Sequence, residues 1–90
     1  MRASISIVIP TLNSQTTIRK TLVSLFEGIE AGIVRELIVV DGGSKDGTVE
    51  FLKSFGDKIK WISEQDKGQA DAINKGIKLS SGNWITWQNC

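Results

Sequence analysis

Short apolar runs alternate along this chain with longer stretches of helical periodicity, and that alternation constrains the fold more than any other feature of the sequence. Residues 5–9, Ile5-Ser6-Ile7-Val8-Ile9, are rich in β-branched side chains and stop at Pro10. Proline cannot donate to a ladder, so the pattern predicts a first strand that ends there. Ile18, Leu22, Leu25, Phe26 and Ile29 then recur at three- and four-residue spacing, the stripe of an amphipathic helix whose apolar face belongs to the core. Asn13 or Ser14 is suited to cap that helix, and Gly28 and Gly32 lie where it would fray and end. Residues 37–40 predict a second strand, 48–55 a short helix with Phe51, Leu52 and Phe55 inward, and 59–63 a third strand. The pattern is helical again over 69–79, with Ile73 and Ile77 one turn apart and Gly76 placed to let the helix approach the sheet. Ser81-Gly82 ends it, and residues 84–88 predict a fourth strand. Right-handed crossovers turn this βαβαβαβ order into a parallel sheet between helices, an α/β fold in one unit without repeats or a linker.

Composition removes several classes of function. Eleven basic and ten acidic side chains leave a net charge of +1, without the basic stripe that would neutralise phosphates along a nucleic acid, so no nucleic acid partner is expected. The chain has no histidine and one cysteine, Cys90, which excludes an internal disulfide, the usual zinc-ligand sets and the usual acyl-transfer triads. A single cysteine fits a reducing, cytoplasmic compartment. The first residues lack a long apolar segment of the signal-peptide kind, and no run reaches the ~20 apolar residues that span a bilayer.

The segment Val39-Val40-Asp41-Gly42-Gly43-Ser44-Lys45-Asp46-Gly47-Thr48 carries the chemistry. A buried strand there ends in a carboxylate followed by two glycines and a helical pattern, which is how an open parallel sheet presents an acidic group to a crevice at its carboxyl edge. A competing reading has Asp41 cap a turn. No G-x-G-x-x-G follows the first strand, where the chain has Pro10-Thr11-Leu12-Asn13, so a dinucleotide cofactor is disfavoured. The P-loop pattern is absent as well. A phosphorelay receiver would gather carboxylates at its first strand, whereas the earliest acidic residue here is Glu27.

Four blocks taken together resemble a family. They are residues 6–13 (SIVIPTLN), 36–48 (ELIVVDGGSKDGT), 64–77 (EQDKGQADAINKGI) and 81–87 (SGNWITW), and in this order and spacing they resemble the opening of the family 2 glycosyltransferases, inverting enzymes of GT-A fold. The resemblance covers nearly the whole chain and implies a Rossmann-like parallel sheet forming the nucleotide-binding half of a GT-A fold. It implies that Pro10, Thr11 and Asn13 line a nucleoside pocket, that Asp41 accepts hydrogen bonds from the base or ribose with Gly43 allowing close approach, and that Asp66, Lys67, Gly68 and Asp71 form the next wall near the diphosphate. An ionised carboxylate accepts only, which suits a ribose diol or the donors of a base. Structural readings compete at several positions. Asn13 could only cap a helix, Asp46 could only cap the second helix, Asp66 and Lys67 could be a solvated loop pair, and Asp71 an exposed polar residue.

The donor implied is a nucleoside-diphosphate sugar, a UDP-sugar first, and the acceptor a glycan or a lipid-linked molecule. The family's metal motif, which holds Mg²⁺ or Mn²⁺, would follow the fourth strand, yet no acidic residue occurs after Asp71. The expectation is therefore an amino-terminal part of a longer enzyme of polysaccharide biosynthesis that stops before its metal site, with no catalytic residue or metal ligand of its own and no sugar transfer by itself. In the full-length context the enzyme would be cytoplasmic or work at the inner face of the membrane. A non-catalytic nucleotide-binding or regulatory α/β module is the alternative. Trp84 and Trp87, three apart on the fourth strand, should point to opposite faces and leave an edge through which the chain could form a homo-oligomer.

Overall fold

The computed structural model describes residues 5–56, 59–65, 67–82 and 84–88. Its elements are β1 (Ile5–Thr11), α1 (Gln15–Glu30), β2 (Val34–Asp41), α2 (Thr48–Ser54), β3 (Lys60–Ser63), α3 (Gln69–Leu79) and β4 (Trp84–Trp87). All strand pairs are parallel and the sheet order is β3-β2-β1-β4. The first two crossovers move the chain one way across the sheet and the third carries it back past β1. Right-handed connections then place α1 and α2 on one face and α3 on the other.

The side chains follow that arrangement. Ile7, Ile9, Leu37 and Val39 point from the sheet into a core with Ile18 and Leu22 of α1 and Leu52 of α2. Val8, Ile38 and Val40, the alternate positions of the same strands, pack with Ala72 of α3 on the opposite face. β1 and β2 are buried on both faces, which is why they read as unbroken apolar runs rather than as alternating ones. Phe51 and Phe55 flank the first core, and the Phe55 ring stacks on Phe26 with centroids 5.3 Å apart.

Several boundaries differ from expectation. β1 does not stop at Pro10 but continues to Thr11. The Val8 carbonyl accepts a bond from Gln88 on the β4 side, whereas the Thr11 carbonyl accepts one from Gly42 on the β2 side. Two residues on from Val8, Pro10 therefore turns its missing N–H toward β4, beyond the last β1–β4 pair, Val8 with Trp87. No ladder bond is lost, and the strand passes through. β2 starts at Val34 rather than residue 37, because Ser6 and Ile5 of β1 pair with Glu36 and Val34. α2 and β4 each end one residue earlier, and β3 begins one later, than predicted.

Gly28 does not fray α1. It lies inside the helix, and a Cβ there would come within 2.8 Å of Val34 Cγ2, so its role is close packing against β2. Gly32, at φ +77°, ends the helix as expected. Its N–H bonds the Ile29 carbonyl and the next N–H, of Ile33, reaches back to Gly28, the paired closure of a Schellman turn. Gly76 permits the close approach anticipated, since a Cβ would lie 2.3 Å from Val8 Cγ1.

Candidate functional site

Three strand ends line up at the carboxyl edge of the sheet, where open α/β folds bind ligands. Thr11, Asp41 and Ser63 are consecutive partners across β1, β2 and β3, so their side chains form one row. Asp41 is fully buried. Its Oδ2 accepts hydrogen bonds from the Gly43 N–H (3.1 Å), the Ser44 N–H (2.8 Å) and the Ser63 hydroxyl (2.8 Å). Its Oδ1 accepts a short bond from the Ser44 hydroxyl. Asp41 thus organises the turn that follows it, and Gly43, at φ +94°, lies in the left-handed region that this turn needs.

The β1–α1 and β2–α2 connections are stitched together. The Asn13 N–H donates to Ser44 Oγ (2.7 Å), and Asn13 Oδ1 accepts from the Lys45 N–H (2.8 Å). One turn further on, the Gln15 N–H donates to Asp46 Oδ2 (3.2 Å) and the Gly47 N–H to Gln15 Oε1 (3.1 Å). Asn13 holds a left-handed backbone at φ +47°, which asparagine tolerates better than most residues. The cap expected from Asn13 or Ser14 is supplied otherwise: the Ser14 hydroxyl donates to the Leu12 carbonyl, and Asp46 takes the first N–H of α1. Asp46 also accepts the Thr48 N–H (2.9 Å) and the Thr48 hydroxyl at the start of α2. The bond from the Thr48 hydroxyl is the main reason its carboxyl is held below the usual range. Two helix starts, each with unsatisfied N–H groups, share one carboxylate.

Lys67 and Gly68 of the β3–α3 connection and Asp71 in the first turn of α3 form a second group. Asp71 Oδ2 accepts the Lys67 N–H (2.9 Å), the chief cause of its lowered pKa, and pairs with Lys75 (3.3 Å). Lys75 also pairs with Glu64 (3.0 Å) and donates to the Gln65 carbonyl (3.3 Å). The hydrogen bond to Glu64 leads the causes that raise its pKa. The two groups meet where the Glu64 N–H donates to the Asp41 carbonyl (3.0 Å) and where Gly43 faces the Gln65 backbone. Pro10 and Thr11 border the first group at the end of β1. Asp66 lies outside the described residues.

Ser44, Ser63, Gln15 and Lys75 were not singled out from the sequence. Their partners are distant in sequence or on another element, and serines in turns carry little signal. Glu36 was missed as well, at the opposite end of the sheet. It accepts from the Ser6 hydroxyl (2.6 Å) and the Ser81 N–H (2.6 Å) and pairs with Lys60 (2.7 Å). Burial would raise its pKa, but the bonds from Lys60, Ser6 and Ser81 outweigh it and lower the value to about 2. Among the described residues no group of three or more His, Cys, Asp or Glu is placed to hold a metal ion. No helix among them is long and apolar enough to cross a membrane.

A parallel sheet on a 3-2-1-4 strand order, with helices on both faces and a carboxylate-centred turn at its carboxyl edge, defines an open α/β fold. The chain belongs to glycosyl transferase family 2, whose family model matches residues 6–90. It is 36% identical over 83 residues to an uncharacterized glycosyltransferase of Rickettsia prowazekii (strain Madrid E), a match covering 92% of this chain and 26% of that protein. It is 34% identical over 84 residues to a PGL/p-HBAD biosynthesis glycosyltransferase of Mycobacterium tuberculosis (strain ATCC 25177 / H37Ra), covering 89% of this chain and 32% of the relative. Among solved structures, a mannosyltransferase from Pyrobaculum calidifontis in complex with GDP-Man and Mn²⁺ superposes with TM-score 0.85 at 22% identity, over 99% of this chain and 28% of that one. Glucosyl-3-phosphoglycerate synthase from Mycobacterium tuberculosis, in complex with Mn²⁺, UDP and glucosyl-3-phosphoglycerate, superposes with TM-score 0.79 at 28% identity, over 97% of this chain and 33% of that one. The fold is thus that of the GT-A glycosyltransferases, and the chain spans about a quarter to a third of the relatives' length. The regulatory-module alternative is not favoured.

Proposed function

We propose that this chain forms the donor-binding part of a glycosyltransferase that moves a sugar from a nucleoside diphosphate to an acceptor hydroxyl. The observation that carries the reading is the row Thr11, Asp41 and Ser63 at adjoining strand ends, with the Gly42-Gly43 turn beside it, in a chain of this family. Asp41, with Pro10, Thr11, Asn13 and Gly43 around it, would contact the nucleoside; Lys67, Gly68 and Asp71, with Asp66, would form the wall toward the diphosphate. A nucleotide-sugar donor is supported by the neighbours solved with GDP-Man or UDP, which leave the base open between uracil and guanine. Those neighbours also hold Mn²⁺, and we propose Mg²⁺ or Mn²⁺ for the whole enzyme. The carboxylates described in this chain do not gather into a metal site, so none is assigned as a ligand. A glycan or lipid-linked acceptor, polysaccharide biosynthesis and a cytoplasmic location complete the proposal.

A thermal-shift series with UDP, GDP, UDP-glucose and GDP-mannose, set against NAD and ATP, tests it. A ligand at about a hundred times its Kd stabilises the folded state by about 2.7 kcal/mol, which moves the melting midpoint of a chain this small by many degrees. The diphosphates of one nucleoside should produce that shift and NAD should not. Equal responses to all six, or none to any, would refute the proposal.

A further inference from the structure

We infer that Lys75 is a positioning residue for the diphosphate side of the proposed donor site, acting by holding the β3–α3 connection and neutralising its carboxylates rather than by touching phosphate. The inference rests on the donor-binding reading above and goes beyond it. A lysine beside a wall for a diphosphate would ordinarily be a phosphate ligand, but this one has no donor to spare. Lys75 Nζ donates to Glu64 Oε1 (3.0 Å), Asp71 Oδ2 (3.3 Å) and the Gln65 carbonyl (3.3 Å). An ammonium has three donors, so all of them are engaged within the protein. The Lys75 side chain is 22% exposed, whereas Lys67 lies open to solvent and is the cation left for a diphosphate.

The three bonds close the connection from both ends. Glu64 and Gln65 directly follow β3, and Asp71 lies in the first turn of α3, where its Oδ2 also accepts the Lys67 N–H (2.9 Å). Residues 64, 65 and 67 are thereby tied to one helix. Gly68 separates them from it at φ +116°, a backbone region open to glycine and to few other residues, so the chain there needs a hold from outside. The same bonds reach the first group, because the Glu64 N–H donates to the Asp41 carbonyl (3.0 Å) and the Gln65 backbone faces Gly43. Charge adds to position. Glu64 and Asp71 share one ammonium, and without it two carboxylates stand unneutralised beside the proposed path of an anionic ligand, which they repel.

An amide chemical-shift titration of the 90-residue chain with UDP and with uridine tests this, with GDP and guanosine in their place if GDP binds better. Thermal melts establish that each variant is folded. For Lys75→Met, which keeps the apolar stem, the expected loss is about tenfold for UDP, the scale on which one unneutralised charge acts nearby, and much less for uridine, which has no phosphate. The amide signals of Glu64, Gln65 and Lys67 should shift in the same variant without any ligand. Lys75→Arg, which keeps the charge, should hold most of the UDP affinity, and Lys75→Gln replaces Lys75→Met if that variant does not fold. The deciding variant is Lys75→Met with Glu64→Gln: removing one stranded carboxylate should recover part of the loss, whereas a lysine that bound phosphate directly would leave no recovery. No recovery, equal losses for UDP and uridine, or wild-type UDP affinity of Lys75→Met overturns the inference and leaves the donor-binding reading in place. A wild type that binds neither UDP nor GDP overturns both.

Discussion

Asp41 is held by the turn that follows it and by Ser63 of β3, so replacing it tests two roles at once. Asp41→Ala removes the acceptor of two backbone N–H groups and two hydroxyls, and it removes the proposed contact with the nucleoside. We expect nucleotide affinity to fall by ~1.5–3 kcal/mol, one to two decades in Kd. Calorimetry on the folded variant measures it, with equal affinities returning Asp41 to turn formation alone. The sequence reached Asp41 because a carboxylate ending an apolar run is conspicuous. It could not reach Ser63, which becomes a partner only when β3 lies beside β2, nor Ser44, whose hydroxyl is one of many in turns until Asn13 is seen behind it. Asp46 is not itself the N-cap of α2, which is Gly47, but from one residue earlier it accepts the Thr48 N–H, and its second oxygen reaches the start of α1, which no local pattern encodes.

At the scale of elements, the strands were legible because β1 and β2 are buried on both faces and so carry continuous apolar runs. Their limits were not, because pairing rather than hydropathy sets them: Glu36 is polar, yet it pairs with Ser6 of β1, and Arg35 falls at the register shift between two paired residues. Gly76 was legible for the opposite reason, a helix-disfavouring residue in a strong helical pattern. Gly76→Ala should improve helix propensity by up to about 1 kcal/mol, but the new methyl would meet the Val8 side chain at 2.3 Å. Overpacking of that kind costs about 1–3 kcal/mol, and the position is buried, so the clash should win and the variant should be less stable. Urea unfolding decides it, with Asn74→Ala on the exposed side of α3 as a control expected to be neutral or slightly stabilising. A more stable Gly76→Ala would mean that α3 can slide off β1 without penalty.

Across the whole molecule, Glu36 acts as a clasp at the amino edge of the sheet. It joins β2 to Ser6 of β1, Lys60 of β3 and Ser81 in the connection from α3 to β4. Its pKa of about 2 in the folded state lies below the ordinary 4.5, so the folded state holds its proton less tightly than the unfolded chain. Stability from this group is therefore fully present above the unfolded value and is lost as pH falls from about 4.5 to about 2. After discounting for the exposed Lys60 partner, the contribution is on the order of 1–2 kcal/mol. Urea midpoints should drop through that window for the wild type, and Glu36→Gln should be less stable at neutral pH with a flatter acid limb.

The free edge of the sheet leads to the last expectation. β4 is an edge strand whose four residues are all exposed, including Trp84 at 69%, Ile85 at 44% and Trp87 at 47%. Edge strands are ordinarily guarded by charge, proline or a bulge. Trp84-Ile85-Thr86-Trp87 has no charge and no proline, and its pairing with β1 runs without a register shift. The tryptophans lie on opposite faces as their spacing requires, and neither face of β4 is covered by the described residues. Pairing with a second β4 would satisfy the open backbone groups and shield apolar rings from water together. We therefore expect reversible association with rising concentration, seen as an increase in weight-average mass by sedimentation equilibrium and a blue shift of tryptophan emission. Thr86→Lys, which puts a charge on the edge, should hold the chain monomeric without changing its fold. A wild type that stays monomeric with constant emission across the series would show that the exposed tryptophans do not draw a second chain to this edge.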